Sequence, residues 1–451
     1  MDGSTLDSGF AEASGDETPQ QRWLAYIEDE SMKLCLHALF FLDFQIFSPC
    51  NMRPVLSPLE LGWELPLPAA LWDADSAFEW LEKLEIECCV TGLQKEDDHP
   101  TIAYPCPATK SLTLAMQSLM SSSPSPYLLA ALSASPMALL FVVNNIDALL
   151  KDFTRSYYQL PPNLTDPSAF HILTQSQNRQ FSTALGLIFG IVENNEARDM
   201  PTSSASGAIW TTIDRISLAT KLALCKPDSL LISGIVENSV TAGLATATHL
   251  ALGLYAGARR SLQSLLKLAA GEDTVLVMLD ELSGALQAMT HGDRRMALSE
   301  APWTVVAEYR ILLEIWRSLK WSSAEIQSRS GNRNENGSQS RPLRRAEPPV
   351  LVYNAIAEAI LGFGENSAAG RHSVGARSGV LVAPPDLTES CFTKAIVQFW
   401  HDRGVWDLGK SMGNIVEDLI AADSPAMVHL ISGEASTARR PSNRSMTDGE
   451  H

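Results

Sequence analysis

Apolar residues recur at intervals of three and four along most of this chain, and few segments show the alternation of a half-buried strand. The clearest case is residues 21–47, QRWLAYIEDESMKLCLHALFFLDFQIF, which contain no Gly or Pro. Trp23, Ile27, Leu34, Ala38, Phe41 and Ile46 fall near one side, with Leu24, Cys35 and Leu42 beside them, so the spacing predicts one long helix. After Leu34 nearly every side becomes apolar, which predicts that the second half is buried. Pro58, Pro66 and Pro68 then break any helix, and residues 57–80 read as an extended strap. Its Leu59, Leu61, Leu65, Leu67, Leu71 and Trp72 are expected to point into a helical core.

The same periodicity predicts helices over 109–120, 127–132, 137–158, 170–194, 209–224, 230–268, 275–288 and 303–320. Three more follow at 350–361, 386–401 and 405–421. The fold class is therefore all-α, an irregular multi-helix bundle with a proline-rich strap and disordered termini. Residues 1–20 read as a disordered acidic tail, 21–321 as the main helical region, and 322–349 as a flexible Arg-containing linker. The helices of 350–431 are expected to pack on the main body, ahead of a disordered tail at 432–451. The matching strings LIFGIVEN (187–194) and LISGIVEN (231–238) have flanks that do not align, so they read as coincidence, not as a repeat.

Composition adds limits. The chain has 451 residues, 45% of them hydrophobic, enough for a sizeable core and two or three units. No apolar run reaches the roughly 18 residues of a membrane span, because Pro136 and the Asn144–Asn145 pair interrupt the most apolar region. No membrane partner is expected, and with no basic residue before Arg22 the N-terminus does not read as a signal or transit peptide. The net charge is −18, concentrated in the first hundred residues, which hold 20 Asp/Glu against 5 Lys/Arg. Such a surface repels phosphate and disfavours nucleic acid binding through this region. Arg341, Arg344 and Arg345 form a short basic cluster that reads as solvation more than as a nuclear-import patch. The seven cysteines are scattered, which suits a reducing compartment, and Cys35 and Cys225 read as core residues.

Candidate chemistry is sparse. A zinc site needs ligands paired at short spacing so that four converge on one ion, and no Cys or His pair has that spacing. Gly409-Lys410-Ser411-Met412-Gly413 fits Gly-x-Ser-x-Gly, and Asp418 or Asp423 followed by His429 keeps the order of a hydrolase triad. A nucleophile elbow joins a strand to a helix, however, whereas Val405, Leu408, Met412, Ile415 and Leu419 place Ser411 on one amphipathic helix. Gly362-Phe363-Gly364 lacks the third glycine of a dinucleotide loop. No residue is assigned a catalytic, cofactor-binding or metal-ligating role, and the chain is not expected to be an enzyme.

One ordered set of residues points further. Tyr26, Ile27, Glu30 and Ser31, the Phe-x-x-Asp spacing of Phe40 and Asp43, Leu59-x-Leu61, Leu65-Pro66-Leu67-Pro68 and Leu71-Trp72 follow one another within residues 21–82. This series resembles the distal part of the fungal-specific transcription factor regulatory domain, also called the middle homology region or xylanolytic transcriptional activator regulatory domain. In that family basic residues usually follow the Glu-Ser pair, where this chain has Met32, Lys33 and Leu34. The resemblance implies a non-catalytic regulatory region in the nucleus that modulates an attached DNA-binding module. Family members carry zinc in an N-terminal module, a six-cysteine cluster or paired fingers, which is not found in this sequence. DNA is therefore expected as a partner only through that module, with a protein of the transcription machinery or a homodimer partner on the helical region. The alternative is a helical scaffold or protein-interaction protein unrelated to transcription.

Overall fold

Thr18 and Gln21 start the first helix before its apolar stripe begins. The Thr18 hydroxyl accepts the Gln21 N–H at 3.3 Å and Gln21 Oε1 accepts the Thr18 N–H at 2.9 Å, a reciprocal capping box with Pro19 at the first helical position. Helix α1 then runs Pro19–Phe47, as one piece. The computed structural model describes residues 18–47, 54–57, 59–60, 62–91, 93–95, 102–103, 106–155, 175–196, 205–225, 278–291, 300–333, 348–361, 381–403 and 407–422. Statements below concern these residues, so the predicted helix at 230–268, residues 1–17 of the predicted acidic tail and the tail at 432–451 lie outside them, while Pro19 and Gln20, expected in that first tail, belong to α1.

The fold is all-α. Further helices are α2 (Ala69–Trp72), α3 (Ala77–Thr91), α4 (Leu112–Leu119), α5 (Pro126–Ala134), α6 (Pro136–Arg155), α7 (Gln175–Glu196) and α8 (Ala205–Cys225). They are followed by α9 (Leu279–His291), α10 (Pro302–Arg333), α11 (Pro348–Leu361), α12 (Pro385–His401) and α13 (Asp407–Ala422). One two-residue antiparallel pair, β1 (Gln94–Lys95) with β2 (Ile102–Ala103), is the extent of described strand.

Several helices begin at a proline that the sequence reading had treated as the break before them: Pro126, Pro136, Pro302, Pro348 and Pro385. The first amide of a helix has no intrahelical acceptor, so a residue without an N–H loses nothing there, and its fixed φ already suits the helix. At the other end, α10 continues to Arg333, with Ser322 and Ser323 buried. The predicted linker thus starts too early. Polar composition predicts a loop here, yet the helix carries its polar residues on through its last turns.

The chain divides into two compact units, the division falling within α10 between Glu314 and Ile315. The first unit is built on α6, whose residues from Ala138 to Leu150 are all buried and which packs against α1, α4, α5, α7 and α8. Helix α6 is not wholly apolar. Its Asp147 sits 3.0 Å from Lys151 and 3.7 Å from Arg310, and Asn144 accepts from Gln45 Nε2 at 2.8 Å, so buried polar groups meet partners on α1 and α10. On α8, Arg215 lies 2.6 Å from Asp214 and 3.6 Å from Glu308.

The second unit includes α9, α11, α12 and α13, in which α11 packs on both α9 and α12. Tyr353 on α11 donates to the Ala383 carbonyl at 2.8 Å and lies 2.5 Å from the Thr388 hydroxyl. Asn354 Oδ1 accepts the Val382 N–H at 3.1 Å, so two neighbouring side chains hold the segment leading into α12. Phe392, Ile396, Phe399 and Trp400 of α12 are buried, with Met412, Ile415 and Val416 of α13.

Candidate functional site

Several of the described residues singled out in 21–82 pack and hydrogen-bond across the first helix and the strap. Tyr26, Glu30, His37, Phe40, Phe41 and Phe44 are the buried positions of α1, spaced by one helical face. That face is rotated from the stripe expected through Trp23, Leu34, Ala38 and Ile46, because two of its members are polar. The burial expected for every side of the second half is also corrected: Leu39 is 62% and Ile46 60% exposed. Cys35, read as a core residue, is exposed as well.

The buried polar residues have a specific task. In Leu65-Pro66-Leu67-Pro68 the prolines have no N–H, so only Leu65 and Leu67 can donate. The Leu65 amide donates to the Thr109 carbonyl at 3.0 Å, and the buried Leu67 amide donates to Glu30 Oε1 at 2.8 Å. The neighbouring carbonyls are used too. Trp63 O accepts from the Leu112 N–H at 3.0 Å, and Glu64 O lies 2.9 Å from His37 Nε2. A carbonyl only accepts, so Nε2 carries the proton. Glu30 and His37, two turns apart on α1, therefore clamp the strap, while Leu65, Leu67 and Leu71 fill the space beneath it. Leu59 and Trp72, expected to point inward, are 58% and 40% exposed, and among the described strap residues Leu65, Leu67 and Leu71 are the inward anchors, with Leu61 outside the described residues.

Electrostatics follow from this burial. Glu30 is neutralised by Lys33 Nζ at 3.0 Å. Burial works to lower the Lys33 ammonium pKa, and the adjacent Glu30 carboxylate more than offsets it, so the pKa ends above its ordinary value. Burial pushes the His37 imidazole down, helped by Lys33 and opposed by the Glu64 carbonyl. Its Nδ1 is buried and has no hydrogen-bond partner, so a proton there would be poorly accommodated. Burial also raises the Tyr26 phenol, whose ring lies 5.5 Å from that of Trp80.

Next to the clamp lies a half-open cavity of about 280 Å³ between α1, α6, α8 and the start of α10. Phe41 stands edge-on to Trp303 at 5.0 Å and to Phe141 at 6.3 Å, and His37 stacks on Phe141 at 5.2 Å. The sequence reading did not foresee this site. Phe41, Phe141, Thr212 and Trp303 come from four distant helices, and only the packing of those helices brings them together. On the solvent side of α1, Met32, Cys35, Leu39, Leu42 and Ile46 stay exposed at intervals of three and four.

No family model matches the chain, and comparison with curated proteins and with solved structures finds no match.

The Gly-x-Ser-x-Gly string lies inside α13, and its first glycine has a packing explanation. A Cβ on Gly409 would collide with the Arg403 carbonyl oxygen, and one on Gly413 would meet Trp400 Cβ at 3.5 Å. The first of these glycines lets α13 approach the end of α12. Asp418 is exposed, and Asp423 and His429 lie outside the described residues. Among the described residues no group of His, Cys, Asp and Glu could hold a metal ion, and no single helix is long and apolar enough to cross a membrane.

Proposed function

We propose that this chain is the regulatory, non-catalytic region of a fungal transcription factor of zinc-finger or zinc-cluster type, acting in the nucleus on an attached DNA-binding module. One observation carries the reading. The residues on which the family resemblance rests include one half of the clamp, Glu30 on α1, and the strap residues Leu65 to Pro68 that it holds, with Tyr26 packed on Trp80 of α3. A series of short motifs scattered over sixty positions has a common physical purpose if the family uses it to fix the first helix against its strap. The exposed apolar line from Met32 to Ile46 supports the partner side of the proposal, since spacing of 3.5 residues suits the docking of another helix. That partner is a protein of the transcription machinery or a second copy of the chain.

The test is a reporter assay with the full chain fused to a heterologous DNA-binding domain. The expected result is a several-fold change in reporter output relative to that domain alone, cancelled by Leu39→Glu with Ile46→Glu. Both side chains are solvent-exposed, so the paired substitution is expected to leave thermal unfolding nearly unchanged. A fusion that is expressed, nuclear and folded but reports like the DNA-binding domain alone would overturn the proposal. Partner capture through the α1 line without any reporter effect would favour a helical scaffold instead.

A further inference from the structure

The cavity beside the clamp has walls of a definite chemistry. Phe41, Phe141 and Trp303 supply aromatic faces and edges, and Leu42, Met137 and Ile209 supply aliphatic surface. Its polar lining residues are Thr211, Thr212, Thr304 and Glu300, and the threonine hydroxyl hydrogens are already committed. Thr211 donates to the Gly207 carbonyl at 3.1 Å and Thr212 to the Ala208 carbonyl at 2.8 Å, each within α8. The Thr304 oxygen is 2.8 Å from that of Thr212. With the Thr212 proton spent on Ala208, Thr304 must be the donor of this pair. The hydroxyl oxygens therefore offer lone pairs to the cavity and no protons. Glu300 at the edge is likewise an acceptor when ionised.

An occupant must be apolar enough for the aromatic corner and must bring its own hydrogen-bond donor. Size narrows the class. A cavity of about 150 Å³ holds a single benzene ring, and this one, at about 280 Å³, has room for two fused rings. We propose that the cavity is a binding site for a small bicyclic aromatic molecule carrying one N–H or O–H donor, of the size and chemistry of indole. The site stands on its own geometry, whether or not the chain regulates transcription.

Titration calorimetry of the full chain with indole and with benzofuran tests it, because benzofuran has nearly the same shape and size and carries in place of the N–H an oxygen that cannot donate. Indole is expected to bind with a roughly sub-millimolar dissociation constant, as suits a ligand of so few atoms. Loss of one hydrogen bond is expected to weaken benzofuran relative to indole by about tenfold. Ala208→Leu adds bulk to the wall and is expected to abolish indole binding while the far-ultraviolet spectrum stays helical. Should that variant not fold, Leu42→Trp puts the bulk at a partly exposed position on the rim and is expected to give the same loss. Absence of binding at millimolar indole overturns the site, as does undiminished binding by the folded filled variant. Equal affinity for the two ligands overturns the donor requirement and with it the ligand class.

Discussion

Glu30 and His37 occupy positions on α1 where an apolar side chain would pack but could not hold the strap. Removing the carboxylate in Glu30→Ala leaves the buried Leu67 amide without an acceptor and Lys33 without its closest counter-charge. A loss of about 1–3 kcal/mol is expected, read as a lower urea midpoint. An unchanged midpoint would mean that the clamp contributes nothing. His37 gives a pH dependence whose sign follows from its lowered pKa. The folded state takes up a proton less readily than the unfolded chain, so the stability contributed by neutral His37 is present above the ordinary value of 6.5 and is lost as pH falls below it toward the folded value. Thermal unfolding between pH 7.5 and 5.5 is expected to fall more steeply for the native chain than for His37→Gln. Carboxylate titration is common to both chains and cancels in the comparison. Parallel slopes would rule out this contribution. Neither role was legible in the sequence, where Glu30 was one letter of a motif and His37 one dispersed histidine. A side chain's hydrogen-bond partner, 27 or 37 positions away, leaves no local signature.

Helix identity, by contrast, is written locally. Spacing of apolar residues placed α1, α6, α8 and α12 within a few residues of where they lie, and the misplaced starts at Pro126, Pro136, Pro302 and Pro385 all come from treating proline as a barrier when it is at home in a first turn. The Thr18-Pro19-Gln20-Gln21 start had a readable signature in its capping box. The two glycines of α13 separate a helix's own preference from its packing. Both are unfavourable within a helix relative to Ala by about 1 kcal/mol, so each Gly→Ala change should gain from propensity alone. At Gly413 the new Cβ makes an ordinary contact and the gain is expected to survive as stabilisation. At Gly409 the collision with a backbone carbonyl dominates, and a net loss of about 1–3 kcal/mol is expected. Urea denaturation of the two variants checks the opposite signs. The same sign for both would mean that α13 does not approach α12 this closely.

For the chain as a whole, charge is the property that composition states most directly. A net charge of −18 implies self-repulsion in the compact state, so raising sodium chloride from about 20 to 300 mM, which shortens the screening length severalfold, is expected to raise the unfolding temperature. A fall over that range would show that screened attractions at exposed pairs such as Lys110–Glu64 outweigh the repulsion. The all-α class and the long first helix were determined by the sequence itself, because periodicity is a property of neighbouring residues. Which face of α1 turns inward was decided only in three dimensions. The apolar count favoured every side of its second half, yet Leu39 and Ile46 are exposed while Glu30 and His37 are buried, since burial depends on what another element offers in return. The cavity belongs to the tertiary structure for the same reason. Phe41, Phe141, Thr212 and Trp303 lie far apart along the chain, and only the meeting of α1, α6, α8 and α10 leaves a space between them.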